Sequence, residues 1–162
     1  MKKHLAVLLL IVGLVCSASA LTQSSKSPLL GKWVLDVASM PAPPAQRPKS
    51  ASLTYSDVGK GKWQTNADIV GGDGHDIHAV AIYPLDGNAA PSKGYPTVDT
   101  TAVWLPAPNV MVAAFYLKGM PRTTRTYTVA HDGKTMTETV VWLNINGEPA
   151  ITMNRFNRAE QQ

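Results

Sequence analysis

The sequence is short of cysteine, phenylalanine and acid. It has one cysteine, two phenylalanines and eleven carboxylates in 162 residues. No run of ten or more residues beyond the N-terminal segment shows helical periodicity, so no long helix is expected. Each shortage excludes something. The lone Cys16 lies in MKKHLAVLLLIVGLVCSASA, where basic Lys2, Lys3 and His4 precede an apolar run from Leu5 to Val15 and a small-residue site at Ala18-Ser19-Ala20. That order is the mark of a secretory signal peptide over residues 1–20, and it places the protein in the periplasm or outside the cell. The apolar run is too short to span a bilayer, which takes roughly 20 apolar residues. Lipidation of Cys16 is the alternative, and Val15 is a poor residue to precede it.

Cleavage after Ala20 leaves 142 of the 162 residues, one domain of ordinary size. It also leaves no thiol nucleophile, no disulfide and no cysteine ligand for a metal. Two of the four net positive charges go with Lys2 and Lys3. The remaining basic residues are scattered, without interleaved aromatics, so neither nucleic acid nor stable membrane insertion is expected. A monomer or weak oligomer without a cofactor is the reading.

What the chain has in quantity is strand pattern. Residues 21–28 are a polar leader and residues 159–162 a tail. Between them, β-branched and aromatic residues alternate over 29–37, 51–58, 62–70, 76–83, 98–105, 109–117, 123–129, 135–143 and 150–156. Gly, Pro, Asp or Asn punctuates every junction. A proline-rich connection lies at 41–48, and the long stretch 84–96 reads as a loop. Short junctions force antiparallel neighbours. An up-and-down meander of eight to nine strands over residues 29–158 is therefore expected to close into a β-barrel, which removes both exposed edges. A two-sheet sandwich is the competing architecture.

The densest cluster of chemical side chains is IVGGDGHDIH, Ile69 to His78. No amphipathic helix follows it, so its glycines cannot present a helix N-terminus to a phosphate. His75 and His78 lie three apart and point to opposite faces of a strand, so they cannot share a metal. His131 has no partner that can be placed. The stretch reads as a turn, and no metal site is expected. No Gly-x-Ser-x-Gly elbow exists, and no spacing selects a catalytic set.

One carboxylate stands out. In TMTETVVWL, Met136, Glu138, Val140 and Trp142 share the more apolar face, so Glu138 is expected to point inward. There it needs a partner, Arg125 or Arg155, or a polar group on a ligand.

The segment LLGKWVLDVASMPAPPAQRPKS resembles the GTWKLN…S…PGPAP opening of small exported bacterial proteins with a lipocalin-like, calycin-type domain. GGDG, Asp86-Gly87, Tyr95-Pro96, VAHDGKTMTETV and the closing RFNR follow in the same order. The resemblance covers nearly all of Leu29 to Arg158. It implies a calycin barrel with an N-terminal tryptophan packed near one end, and small-ligand binding as the default role. It carries over no catalytic residue. The apolar 76–83 strand and the longer 84–96 loop depart from the pattern.

Two functions are weighed. The first is an exported, non-enzymatic carrier or scavenger of a small apolar molecule. Its ligand-binding candidates are Trp63, Tyr83, Trp104, Met111, Phe115, Tyr127, Met136, Glu138 and Trp142, with Met153 as further lining. The second is an envelope interaction or stress module with a filled barrel, binding through its outer face or its proline connection. A barrel isomerase or cyclase is the third possibility. A connected cavity of roughly 300 Å³ or more favours the carrier.

Overall fold

The computed structural model describes residues 27–160, so the expected signal peptide with Cys16, most of the leader and the last two residues lie outside it. Ten strands follow in order: β1 (Gly31–Leu35), β2 (Ser50–Gly59), β3 (Lys62–Val70), β4 (Asp76–Pro84), β5 (Asp86–Lys93), β6 (Thr100–Ala107), β7 (Val110–Leu117), β8 (Met120–Val129), β9 (Thr135–Leu143) and β10 (Pro149–Arg158). Each pairs antiparallel with its chain neighbour, and β10 returns to β1, closing the barrel. The only helical elements described are two single 3₁₀ turns, Val37–Ser39 and Pro44–Gln46.

The count exceeds the expected eight to nine because β5 falls in the stretch that reads as a loop. Its sequence, DGNAAPSK, is built from residues depleted in strands. Pairing with β6 holds it extended, with Ala90 opposite Thr101 and Pro91 opposite Thr100. Its seam with β4 is thin, only Val80 with Lys93 and Ala81 with Ser92. There Gly94, at φ +86°, lies against the His78 carbonyl so closely that no Cβ fits.

Turn chemistry fixes the register elsewhere. Lys118 and Gly119 both take positive φ, 53° and 76°, which two-residue hairpin turns require and which lets β7 turn directly into β8. The stretch Gly71–His75 is a turn between β3 and β4, with Gly71 and His75 bonded backbone to backbone.

The two barrel ends differ. At one, Leu29, Trp33, Trp63, Val129, Met136 and Phe156 are buried and form a solid plug. Trp33 donates its indole N–H to the Leu29 carbonyl at 2.8 Å. Arg158 lies over the Trp33 ring and donates to the carbonyls of Gly133, Leu30 and Pro28. Ser27, within the expected leader, is tied here too, its hydroxyl donating to Pro108 at 2.6 Å. The other end carries the connection from β1 to β2 and the turns after β3, β5, β7 and β9. The proline connection is ordered by Arg47, which donates to the carbonyls of Ala42, Val37 and Ala38.

Candidate functional site

Alternation turns the odd residues of β2, β3, β4, β6, β7 and β8 inward, and above the plug they do not fill the barrel. They leave a partly open cavity of about 90 Å³. Leu53, Ala67, Ile69, Ala81, Val103, Met111 and Ala113 make its apolar wall, and Tyr55, Tyr83, Phe115 and Tyr127 its aromatic one. Tyr95 and Val98, from the loop after β5, lie toward the open end. Polar groups are few: Thr65, bonded to the Tyr83 hydroxyl, then Ser92, Thr101 and Arg125.

Arg125 is held from behind. Glu138, only 3 % exposed, accepts from an Arg125 terminal nitrogen at 2.9 Å and from the Asn154 amide at 2.8 Å. Ladder register explains the meeting. Glu138 of β9 lies opposite Tyr127 of β8 on one side and Asn154 of β10 on the other. Arg125 is the next inward residue along β8, within diagonal reach. Its guanidinium also faces the Phe115 ring, 5.2 Å from the centroid. Arg155, the other partner considered, is exposed on the outer face.

Two buried polar atoms in this wall have no partner, the Arg125 Nε–H and the Tyr55 hydroxyl. Tyr127 meets Tyr55 edge-on, at 6.0 Å and 69°, and its hydroxyl lies beside both Tyr55 and Arg125. Burial, with Tyr127 and Tyr83 adding to it, pushes the Tyr55 phenol well above its usual value. Burial likewise raises Tyr127, and it raises Tyr83 to about 12 against the opposing bond from Thr65.

The candidate residues separate. Tyr83, Met111, Phe115 and Tyr127 line the cavity. Trp63 and Met136 are inward but belong to the plug. Trp142 is half-buried at the open end, in a shallow groove with Met40, Pro41 and Ala42. Trp104 is corrected: it is 57 % exposed on the outer wall, because the inward positions of β6 are Thr101, Val103 and Leu105. Met153 is exposed for the same reason of parity. Sequence reasoning misses Tyr55 and Arg125 as lining residues. The alternation that marks Leu53 also marks Tyr55, but a partnerless hydroxyl cannot be read from sequence.

His75 and His78 are both exposed, paired with Asp73 and Asp68 respectively. Among the described residues no three His, Cys, Asp or Glu side chains converge to hold a metal ion. Among them, too, no helix is long and apolar enough to cross a membrane.

A closed antiparallel barrel around a small apolar cavity is an architecture of the calycin type. No family model matches the sequence, and no curated protein does. Solved structures do match. The wild-type fluorescent protein UnaG is 16 % identical and superposes with a TM-score of 0.51 over 80 % of this chain and 96 % of its own. A point mutant of UnaG gives 0.54 at 14 % identity, over 83 % and 98 %. A zebrafish ileal bile acid-binding protein complexed with cholic acid gives 0.47 at 10 % identity, over 82 % and 100 %. At such identities the likeness to the two UnaG structures establishes the fold alone, a coarser statement than the exported bacterial family the sequence resembles.

Proposed function

We propose that this chain is an exported, non-enzymatic barrel that binds a compact, mainly apolar molecule in the cavity between β2 and β8. The observation that carries the reading is the pairing of an apolar, partly open cavity with two partnerless buried polar atoms in its wall. Buried polar groups are almost always bonded, so this corner of the wall is where an ordered water or the polar group of a ligand completes the hydrogen bonding. The size limits the occupant. Drug-sized ligands occupy about 300–1,000 Å³, whereas a cavity of about 150 Å³ takes benzene. At about 90 Å³ the interior is smaller than either and falls short of the roughly 300 Å³ that favours a carrier. A short chain or the edge of one ring therefore enters it, and the rest of the molecule lies past Tyr95 and Val98 at the open end. Catalysis is disfavoured by Glu138, whose oxygens are occupied by Arg125 and Asn154.

The experiment is a titration of the mature chain with ethylbenzene, followed by NMR shifts of the Met111 and Ala113 methyl groups. Saturable shifts are expected in the wild type, and the Met111 methyl shift is expected to vanish in Ala113→Phe, which fills the cavity. Shifts that survive filling place the site elsewhere. Export is checked separately: the intact mass of the released protein starts at Leu21.

The filled-module reading has one observation of its own. The outer face of β9 and β10 and the turn between them expose Val141, Leu143, Ile145, Ile151 and Met153 together.

A further inference from the structure

Resting on that reading of the cavity, we infer that its polar corner selects a neutral hydrogen-bond acceptor, such as a ketone, amide or lactone carbonyl, and rejects a carboxylate.

The corner offers donors. Arg125 Nε–H can only donate, and the Tyr55 hydroxyl donates or accepts. Both atoms are fully buried with no partner in good geometry, and both residues line the cavity beside the Tyr127 hydroxyl, so an acceptor reaches them once the surrounding side chains shift. An arginine in an apolar pocket ordinarily invites an anion, since its fork matches a carboxylate. Here that invitation has already been answered from within the chain. Glu138 lies 2.9 Å from the guanidinium, is 3 % exposed and has its other oxygen fixed by Asn154. Arg125 and Glu138 together therefore present no net charge to the cavity. A second carboxylate would enter beside the first, with one cation between two anions and little water to screen them. A carbonyl oxygen incurs no such repulsion and can accept from the donors that are free. The Phe115 and Tyr127 rings flank the position, so the carbonyl belongs on an apolar or aromatic body.

Three probes of one shape test this: acetophenone as the neutral acceptor, benzoate as the anion and ethylbenzene as the body without an acceptor. Affinities for the full mature chain are read by methyl NMR titration at pH 7. Acetophenone is expected to bind about tenfold or more tightly than benzoate, and more tightly than ethylbenzene. Tyr55→Phe should weaken acetophenone and leave ethylbenzene unchanged. Glu138→Gln leaves the guanidinium charge unopposed, so benzoate should gain about tenfold while acetophenone barely moves. The wild-type ranking needs no variant and decides the matter even if Glu138→Gln fails to fold. Benzoate equal to or tighter than acetophenone overturns the inference and leaves the cavity reading standing. Failure of all three to bind overturns both.

Discussion

The Arg158 guanidinium carbon lies 4.1 Å from the centre of the Trp33 ring, so the last strand seals the first at one barrel end. The contact joins cation–π attraction to bonds with three backbone carbonyls that the end would otherwise leave bare. It makes the opposite end the natural entrance. Arg158→Lys keeps the charge but cannot span three carbonyls, and it should cost about 2 kcal/mol in urea unfolding. Arg158→Ala should cost more.

Glu138 and Arg125 should prove coupled. Glu138→Leu strands a half-buried guanidinium and the Asn154 amide, and it is expected to cost about 3 kcal/mol or more. In Arg125→Met with Glu138→Leu, no charge is left stranded, so the double variant should be more stable than Glu138→Leu. Chemical denaturation of the four proteins gives the coupling energy. Glu138→Leu more stable than the wild type would show that the pair is no support to the fold.

Gly94 should be irreplaceable where Gly87 is not. Both have φ +86°, so alanine costs about 1–2 kcal/mol of backbone strain at either. At Gly94 the new methyl would also lie 2.9 Å from the His78 carbonyl carbon and 3.1 Å from the Ala79 Cα, whereas at Gly87 it meets open space. The thermal midpoint of Gly94→Ala should therefore fall well below that of Gly87→Ala. Equal midpoints would mean that the β4–β5 seam yields freely.

Alkaline pH should unfold the barrel through its tyrosines. Burial raises the pKa of Tyr55, Tyr83 and Tyr127, Tyr83 to about 12. The folded state thus holds their protons longer than the unfolded chain does. The stability this contributes is full below the ordinary phenol value of 10.0. It declines as pH rises past that value, because the unfolded chain ionises first. Stability should fall with pH above about 10. Phenolate absorbance of these three should appear together with unfolding. In Tyr83→Phe the decline should be shallower.

Strand parity made most of the architecture legible. Met136, Glu138 and Val140 lie inward because side chains alternate, and no tertiary information was needed to say so. β5 escaped notice because Asp86-Gly87-Asn88 and Pro91 carry no strand propensity, and its partner β6 imposes the extension. Trp104 shows the opposite failure. Its place on a strand pattern made it a lining candidate, but parity with buried Val103 turns it out. The site was legible only in part. Arg125 was in view as a partner for Glu138, but its dual position, paired behind and unpaired in front, depends on the closure of β8 against β9. So does the cavity, whose volume is set by which inward side chains are alanine (Ala67, Ala81, Ala113) and which inward rings stand opposite them.

The most direct measurement is a set of intermolecular NOEs between acetophenone and the isotope-labelled mature protein. Contacts from the ring protons to the Met111 and Ala113 methyls, with the acetyl group near Tyr55 and Arg125, are predicted. Contacts confined to Trp104 on the outer wall, or to Trp142 and Met40 in the shallow groove, would contradict the account, as would no contact at all.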